Sequence, residues 1–539
     1  MNNNELWSNC NFFKQSFKEQ VDYSELRIKD HFDSWSKTLT AKTICKEKMP
    51  ESIEDLPITE YGDYPILATF KEKIEEKERS KSRINGELWH DYYTRILSEV
   101  SYVVEGYLPD KPAICIKTTG TTGTNKLIVH GERFLNEFIS DTIVSLLMAT
   151  SKEWGEDVLK EKMNVLNLFA PVPYLSGWAL RYWENLINFV PSISVTDNLS
   201  DMGKKFQIAL QTIEKGNKIH VIGGSGSLLY MACQYFENPQ YFFEQSLRLT
   251  SSKYKKILIF LKLMLGKLER KKVGNLEDIM PLKSVVIGST DAQIYAQFLR
   301  EKFNIEPFNY YAATEIGCSM LGRLNRKIDL LPNLRAVYME FLDEKGELKK
   351  VYEVKKDNVY ELVATPYYSM FVRYRIKDLF RVIDFLDGSP VFSFEGRTQN
   401  MIDVYNYYRF SEDLITKVLV NAGFKSSDRW AITKILQPRE MLEIFFEKEW
   451  SVSERQAQKL IFDSMLALIP GFNTYVHDFN IMDPSEVLKV QFLEKGTFTR
   501  YTMKQVRKNV PLGQYKPLKI VTPDKKYILE ELMDSSING

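Results

Sequence analysis

The stretch Ile116–Val129, IKTTGTTGTNKLIV, places two glycines and five threonines between two runs of β-branched residues. The flanking runs PAICIK and LIVH are typical of strands, so the glycines and threonines are expected in a loop between two strands. A Walker phosphate loop has a different glycine–lysine spacing and leads into a helix, which excludes that motif. Glycine permits close approach of the backbone, and the threonine hydroxyls and Lys126 supply donors and positive charge. The stretch therefore predicts a loop that wraps a polyphosphate, with a mobile surface hairpin as the alternative.

Composition and charge narrow the class of protein. The chain has 539 residues with 72 basic and 71 acidic side chains, a balance that gives no electrostatic footprint for nucleic acid. A chain of this length predicts about two to four domains. The five cysteines show no C-x-x-C spacing and the five histidines are scattered, so we expect reduced cysteines, no zinc site and a cytoplasmic protein. The N-terminal sequence does not have the pattern of a signal peptide.

The most membrane-like stretch is KYKKILIFLKLMLGKLERKK, residues 253–272. Its apolar part is about half as long as a bilayer span and is interrupted by Lys262, so we expect no membrane span. The pattern favours a helix packed on its own domain, with lysines that reach solvent. A basic helix lying on a membrane surface is the alternative.

The order of the predicted elements indicates an α/β fold. Residues 1–105 are predicted to be mostly helical. VLNLFAPV, KIHVIGG (218–224) and LKSVVIG (282–288) have the pattern of buried strands, and DAQIYAQFLREKF (291–303) that of a helix before the strand EPFNYYA. Strands and helices that alternate at this spacing predict βαβ units and a largely parallel sheet.

The pattern changes near residue 335. Residues 336–366 alternate in the manner of strands with turn breaks, and a further strand pair turns at Asp387–Gly388, so antiparallel pairing is expected there. Past Gly396 the chain has the pattern of a smaller mixed α/β unit. We therefore predict an N-terminal domain over 1–396, a hinge over 397–410 and a C-terminal domain over 411–539.

The loop T-T-G-T-T-G-x-x-K resembles the phosphate loop of the adenylate-forming superfamily, which includes acyl-CoA synthetases, peptide-synthetase adenylation domains and luciferases. Three further signatures of that superfamily follow in the correct order. YYAATEIG resembles its Y-G-x-T-E element, VRYRIKDLFRV its Y-x-x-G-D element and FEGRTQNMIDV its G-R-x-D-D hinge. Ala312 and Lys377 stand where glycine is usual, and Gln399 and Asn400 replace the acidic pair.

This resemblance implies a large N-terminal adenylate-forming domain, with mixed sheets, helices and antiparallel strands, and a smaller mobile α/β C-terminal domain. It implies that Lys126 and Glu315 are catalytic, that Glu315 holds Mg²⁺, an ion that prefers oxygen ligands, and that Asp378 and Arg397 contact the ribose. The ATP-binding residues implied by the resemblance are Thr118, Thr119, Gly120, Thr121, Thr122, Gly123, Ser289, Thr290, Tyr311, Ala312, Thr314, Asp378 and Arg397.

One branch of the superfamily is resembled more closely than the others. The segments YELVATPYYSMFVRYRIKDLFRV, SVVIGSTDAQIY and GQYKP are similar to the acyl-acid amido synthetases, the auxin-responsive Gretchen-Hagen enzymes. That resemblance implies adenylation of a carboxylic acid with MgATP, then transfer of the acyl group to an amine, usually an amino acid. The coenzyme A ligase branch carries a C-terminal catalytic lysine, for which Lys516 is the candidate and Lys508 the second choice. Both are equally compatible with surface lysines, so coenzyme A and a protein thiol stay open as acceptors.

Two interpretations from other classes are open. HVIGGSGSLLYMACQYF places Ser225 where a serine hydrolase has its nucleophile, but Ser227 and Leu229 stand where a nucleophile elbow and a dinucleotide fingerprint need glycine. A tight turn that lines the acyl pocket, together with PYLSGWALRYW, is the interpretation we favour.

A non-catalytic relative is suggested by the departures at Ala312, Lys377 and Gln399. The charged residues that the chemistry needs are nevertheless retained.

Overall fold

The structure is a computed structural model of the whole chain. It describes residues 3–46, 48–84, 86–118, 126–159, 162–167, 169, 171–196, 208, 211, 218–224, 226, 229, 233, 281–288, 292–398, 402–404, 408–425, 428–435, 441–447, 452–469, 472, 476, 481, 483–507, 519–521 and 525–537. The chain divides into two compact units, of which the first comprises Met1–Leu229 and Glu277–Ser393 and the second includes Phe394–Gly539. The predicted hinge over 397–410 stays a prediction.

Strands β3 to β14 form the main sheet of the described residues, while β1 and β2 form a separate hairpin. Their bounds are β1 Pro112–Lys117, β2 Leu127–Gly131, β3 Asn164–Leu166, β4 Asn188–Val190, β5 Val221–Gly224, β6 Ser284–Ile287, β7 Phe308–Ala313, β8 Gly317–Arg323, β9 Arg326–Pro332, β10 Val337–Leu342, β11 Leu348–Lys350, β12 Val359–Pro366, β13 Tyr374–Leu386 and β14 Ser389–Arg397. The strand order is β11-β10-β12-β13-β14-β9-β8-β7-β6-β5-β3-β4.

The sheet changes from parallel to antiparallel at β7, as the sequence pattern predicts in kind, but the change comes earlier in the chain than the predicted position near residue 335, because β7, β8 and β9 already pair antiparallel. Strands β3 to β7 pair in parallel, whereas β7, β8 and β9 pair antiparallel, as do β10 to β13. Short buried strands joined through helices are typical of the parallel part. Among the described residues of the predicted strand around VLNLFAPV, only Asn164–Leu166 form a strand, and Asn167 already lies outside it.

The helices of the first unit cover the N-terminal residues, as predicted, and flank the sheet. The α-helices whose bounds are described are Asn3–Ser8, Phe17–Trp35, Leu39–Cys45, Ile66–Ser80, Trp89–Val100, Glu132–Thr150, Leu175–Trp183, Ile193–Thr196 and Ala292–Phe303; 3-10 turns cover Asn11–Lys14, Ile53–Asp55, Tyr61–Asp63 and Ser101–Val104. The Phe17–Trp35 helix begins at a capping box in which Ser16 and Glu19 exchange side-chain and backbone hydrogen bonds. Within the described residues, no helix has the length and apolarity needed to cross a membrane.

The N-terminal helices build the core beneath the β1–β2 hairpin. Phe70, Ile74 and Ile96 are fully buried in one cluster with Ile116 of β1 and Ile128 of β2. Burial of such side chains contributes about 1.5–3 kcal/mol each. The first hundred residues therefore support the two strands that flank the predicted phosphate loop, a role that their sequence did not indicate.

The second unit is a mixed α/β unit, as predicted. Its four-stranded sheet has the order β19-β18-β17-β20, and β15 pairs with β16 beside it in the chain; the bounds are β15 Ile402–Val404, β16 Tyr408–Phe410, β17 Trp430–Ile435, β18 Met441–Glu447, β19 Leu488–Leu493 and β20 Ile520–Val521. The helices whose bounds are described are Glu412–Asn421, Glu454–Leu468, Thr497–Arg507 and Lys526–Ile537, with a 3-10 turn at Pro484–Glu486.

Candidate active site

The predicted phosphate loop joins two antiparallel strands. Lys117 at the end of β1 pairs with Leu127 at the start of β2. Past that pair, the backbone N–H of Thr118 donates to the Lys126 carbonyl over 2.9 Å, and the N–H of Lys126 donates to the Thr118 hydroxyl over 3.0 Å. The strand–loop–strand prediction is therefore confirmed. The loop residues predicted to bind ATP that lie outside the described residues are Thr119, Gly120, Thr121, Thr122 and Gly123.

Lys126 and Glu315, each predicted to be catalytic, are in direct contact. The Lys126 Nζ lies 3.3 Å from Glu315 Oε1 and 3.3 Å from the Tyr374 hydroxyl. The Tyr374 hydroxyl is itself 3.2 Å from the same Glu315 oxygen, so three polar groups form a closed triangle. The Tyr61 ring covers the ammonium group at 4.9 Å from its centroid, a cation–π distance.

The two charged side chains of this triangle differ in their exposure to solvent. The side chain of Glu315 is 11% exposed and that of Lys126 is 40% exposed, so the charge pair opens toward solvent on the lysine side. Burial and the Glu315 carboxylate raise the pKa of Tyr374 far above its usual value. Tyr374 is therefore a neutral phenol that donates to Glu315. Burial also raises the pKa of Tyr61, whose hydroxyl donates to the Leu127 carbonyl over 3.1 Å.

Glu315 stands in a three-residue turn, Thr314–Ile316, between β7 and β8. The Ile316 N–H donates to the Ala313 carbonyl over 3.1 Å, which closes the turn. Gly317 follows with φ +68, and a Cβ at that position would lie 3.2 Å from the Phe134 ring. The turn is thus held close to the helix Glu132–Thr150. The Glu315 side chain extends from this turn to Lys126.

His130 contacts this turn from β2. Its Nε2 lies 2.9 Å from the Thr314 carbonyl oxygen, and its Nδ1 lies 3.2 Å from the Ser369 hydroxyl. His130, Tyr61 and Tyr374 are not among the site residues that the sequence predicts. Tyr374 could have been identified, because it is the tyrosine of VRYRIKD; a lone histidine and an N-terminal tyrosine carry no comparable signal.

Two other predicted site residues, Tyr311 and Asp378, form a pair. The Tyr311 hydroxyl donates to Asp378 Oδ2 over 2.5 Å, and the Asp378 side chain is fully buried. Strand β7 supplies the tyrosine and β13 the carboxylate. Ala312 follows Tyr311 on β7 at a register irregularity, half-buried, and Thr314 is half-buried in the adjoining turn.

The backbone at Lys377 explains why glycine suits this position. The register between β12 and β13 shifts opposite Leu362, and Lys377 has φ +67, in the left-handed region. A β-bulge of this kind redirects the next side chain, here that of Asp378. The Lys377 Nζ donates to Glu60 Oε2 over 2.7 Å, so this lysine is tied to the N-terminal helical region.

The segment PYLSGWALRYW, predicted to line the acyl pocket, is attached to β1 beside the phosphate loop. The Trp178 indole N–H donates to the Cys115 carbonyl over 2.9 Å, and the Lys117 N–H donates to the Pro173 carbonyl over 3.0 Å. A groove next to these contacts is lined by His90, Phe169, Gly177, Leu180 and Arg181. Its lining is mostly apolar, with Arg181 as a cationic group.

Further predicted residues are described in part or not at all. Ser289, Thr290, Ser225 and Lys516 lie outside the described residues, and of Arg397 only the backbone at the end of β14 is described. Gly288 precedes Ser289, and a Cβ there would lie 2.0 Å from the Tyr310 ring, so only glycine fits. Among the described side chains, no group of three or more His, Cys, Asp and Glu could hold a metal ion.

Comparison with known proteins agrees with this fold. Residues 330–397 match the family model described as the GH3 family central domain. A probable indole-3-acetic acid-amido synthetase, GH3.7 of Oryza sativa subsp. japonica, is 26% identical over 38% of this chain and 37% of its own length. The indole-3-acetic acid-amido synthetase GH3.5 of Arabidopsis thaliana is 26% identical over 32% of this chain and 29% of its own length. The chain thus matches well under half the length of these two curated relatives.

Solved structures with the same fold cover nearly the whole chain. The AtGH3.15 acyl acid amido synthetase in complex with 2,4-DB superposes with a TM-score of 0.64 at 16% identity, over 96% of each chain. A 2-hydroxyisobutyryl-CoA ligase in complex with 2-HIB-AMP has a TM-score of 0.54 at 12% identity, over 97% of this chain and 94% of that one. The predicted fold class and the resemblance to the Gretchen-Hagen family are therefore confirmed.

Proposed function

We propose that this protein is an ATP-dependent ligase that adenylates a carboxylic acid and transfers the acyl group to an amine, in the first instance an amino acid. The observation that carries the proposal is the contact of Lys126 with Glu315, at the base of a loop rich in glycine and threonine. The amido synthetases among the similar proteins support the same chemistry. The confirmed fold supports it further, because solved amido synthetases share it.

The first step needs stabilisation of phosphate charge. A carboxylate oxygen of the acid attacks the α-phosphorus of ATP, a P–O bond forms, and pyrophosphate leaves with the electrons of the broken bond. Lys126 and the threonine hydroxyls of the loop would neutralise and orient the phosphates. Removal of one preorganised group of this kind typically costs about 10²–10³ in rate.

Mg²⁺ fits the donor set of the site. This ion is commonly bound by one or two carboxylates together with substrate phosphates, and Glu315 presents a carboxylate beside the phosphate loop. When bound, the ion would neutralise charge on the transferring phosphate group. The Tyr374 hydroxyl would keep the Glu315 carboxylate oriented toward that position.

The nucleoside would lie near Asp378. A carboxylate accepts hydrogen bonds from both ribose hydroxyls, and the Tyr311 hydroxyl holds this one at 2.5 Å. Arg397, at the end of β14, is proposed as a second ribose contact. Ser289 and Thr290, after the close approach at Gly288, are proposed as further nucleotide contacts.

The second step forms the product. The amine nitrogen attacks the acyl carbon, the C–N bond forms, AMP leaves from the mixed anhydride, and the nitrogen loses a proton. We propose that 397–410 is a hinge about which 411–539 moves between the steps, with Lys516 the candidate for contact with the carboxylate and α-phosphate. The low charge bias and the absence of C-x-x-C spacing in the sequence suit a cytoplasmic protein.

The acyl acid is proposed to bind beside PYLSGWALRYW, in the groove with Leu180 and Arg181 on its wall. Small-molecule pockets are mostly apolar with a few polar groups that fix orientation, and this lining has that character. Coenzyme A and a protein thiol are the alternative acceptors. They share the first step and differ only in the nucleophile of the second.

Acid-dependent exchange of radiolabelled pyrophosphate into ATP, with a panel of aliphatic and aromatic carboxylic acids, tests the first step. The second step is tested by giving the enzyme ATP, the best acid, coenzyme A and the twenty amino acids together. We expect an N-acyl amino acid by mass spectrometry. An acyl-CoA as the sole product would replace amide formation with thioester formation, and absence of exchange with every acid would reject adenylation.

A further inference from the structure

We propose that His130 is a positioning residue for the turn that carries Glu315, acting from the strand that follows the phosphate loop. The inference rests on the proposed function, in which the Glu315 carboxylate serves phosphate and Mg²⁺ binding. It assigns a role to a buried histidine that lies outside the superfamily-like motifs. His130 touches the turn through the Thr314 carbonyl rather than the reacting groups.

The His130 ring is held on three sides. Its side chain is fully buried, and its plane stacks on the Phe134 ring with centroids 3.6 Å apart and planes 8° from parallel. Nε2 reaches the Thr314 carbonyl oxygen at 2.9 Å, and Nδ1 reaches the Ser369 hydroxyl at 3.2 Å. A ring fixed on one face and at both nitrogens transmits its position to the groups that it binds.

The chemistry of these partners determines the tautomer. A carbonyl oxygen only accepts, so the proton of the ring lies on Nε2. Burial lowers the pKa of His130 to about 4, so the imidazole is neutral at neutral pH and Nδ1 accepts. The Ser369 hydroxyl therefore donates to Nδ1, and it accepts in turn from the Phe371 N–H at 3.3 Å. The hydrogen bonds run in one direction, from the backbone at Phe371 to the backbone at Thr314.

This chain of hydrogen bonds acts on Glu315 through the peptide plane. The Thr314 carbonyl belongs to the peptide bond that links Thr314 to Glu315, and that unit is planar. An anchored carbonyl consequently restricts the direction in which Glu315 leaves the turn. The Phe134 ring, which stacks on His130, also lies where a Cβ of Gly317 would meet it at 3.2 Å. His130 and Phe134 thus brace both ends of the turn.

The same strand also positions the partner of Glu315. Strand β2 begins at Leu127, directly after Lys126, and includes His130. One short buried strand therefore positions Lys126, which directly precedes it, and contacts the turn of Glu315 through His130 near its end. Lys126 Nζ lies 3.3 Å from Glu315 Oε1. Loss of a residue that orients a metal ligand typically costs about 10–100-fold in metal affinity or activity.

The test compares two variants that both keep an aromatic ring and lose buried side-chain hydrogen bonds. His130→Phe keeps a ring to stack on Phe134 and loses both ring hydrogen bonds. Tyr367→Phe is the matched control, because its hydroxyl is buried and bonds to the Ser24 hydroxyl at 2.8 Å, at the N-terminal helix Phe17–Trp35. For each variant we would measure the unfolding midpoint. Pyrophosphate exchange then gives kcat and the KM values for MgATP and for the acid.

We expect both variants to fold with lowered unfolding midpoints. His130→Phe should lose about 10–100-fold in kcat/KM for MgATP with an unchanged KM for the acid, and Tyr367→Phe should keep the wild-type kinetic constants. Nitrogen-15 NMR of the wild type should show His130 protonated on Nε2. Equal kcat/KM for MgATP in the two variants, or a His130 proton on Nδ1, would overturn the inference.

Calorimetric titration with MgATP separates this inference from the proposed function. If the wild type catalyses no pyrophosphate exchange with any acid of the panel, the proposed function fails. In that case, weaker MgATP binding in His130→Phe than in Tyr367→Phe supports the positioning role. Equal affinities, or no MgATP binding by the wild type, overturn it.

Discussion

The Tyr374 phenol donates a hydrogen bond to Oε1 of Glu315 over 3.2 Å, although 59 residues separate the two in the chain. Tyr374 begins β13 directly after a loop, residues 367–373, whose side chains are almost all buried. Loops usually lie on the surface, and this one is held by the Arg373 guanidinium, which binds the Glu340 carboxylate through two hydrogen bonds of 2.9 Å. Tyr374 is therefore a rigid donor.

Removal of the Tyr374 hydroxyl should impair catalysis more than stability. In Tyr374→Phe the ring still packs on Phe371 at 4.9 Å, but Glu315 loses a neutral donor. We expect pyrophosphate exchange to fall about 10–100-fold and the free energy of unfolding to fall by about 1 kcal/mol. Tyr102→Phe, at a tyrosine that is 62% exposed, serves as the control. Wild-type exchange in Tyr374→Phe would show that this hydroxyl does not orient Glu315.

Lys126 and Glu315 should depend on each other. We expect Lys126→Ala and Glu315→Gln each to reduce pyrophosphate exchange by about 10²–10³-fold without unfolding, because both act on phosphate charge. Since the two side chains are in contact, the double variant should lose less than the product of the single losses. Lys18→Ala, at a lysine whose side chain is 84% exposed, is the control. Strictly multiplicative losses would mean that the pair does not act as a unit.

The left-handed backbone at Lys377 predicts an unusual order of substitutions. A non-glycine residue in this region costs about 1–2 kcal/mol, and the half-exposed ion pair with Glu60 returns only about 0–1 kcal/mol. Lys377→Gly should therefore match or exceed the wild type in the free energy of unfolding, and Lys377→Val should fall below it. Denaturant titration measures both. A Lys377→Gly protein less stable than Lys377→Val would contradict the conformational argument.

Stability should decrease on acidification below pH 6.5. Burial lowers the pKa of His130 to about 4 and that of His31 to about 3, so the unfolded chain binds more protons between these values and 6.5. Their stabilisation is present above pH 6.5 and is lost as the pH falls toward the folded values. Burial raises the pKa of Asp141 to about 6, which works in the opposite direction over the same range.

The His130 share of this effect is measurable. As the pH is lowered from 6 to 4.5, the free energy of unfolding of His130→Phe should decrease less steeply than that of the wild type. The two slopes should differ by about 1.4 kcal/mol per pH unit. Tyr367→Phe should keep the wild-type slope. Parallel slopes in the wild type and His130→Phe would place the His130 pKa near its usual value and refute the account of a neutral buried ring.

The amino-acid sequence by itself determined the local elements and predicted the main candidate site residues. Both residues of the Asp387–Gly388 turn have positive φ, +48 and +86, as a two-residue hairpin requires, and that dipeptide alone is enough to indicate the hairpin. The loop between β1 and β2, the parallel-to-antiparallel change and the residues Lys126, Glu315, Tyr311 and Asp378 are equally local, because each is carried by periodicity or by a short motif.

Tertiary structure alone decided which other residues support these candidate site residues. Tyr61 reaches the Lys126 ammonium from a 3-10 turn in the N-terminal region, and His130 connects the Thr314 carbonyl to Ser369 across 184 and 239 residues of chain. Such contacts depend on how separate elements pack, and the identity of a single tyrosine or histidine carries no information about its partner. Burial then determines the protonation states of His130 and Tyr374, because desolvation acts on the folded chain and not on the sequence.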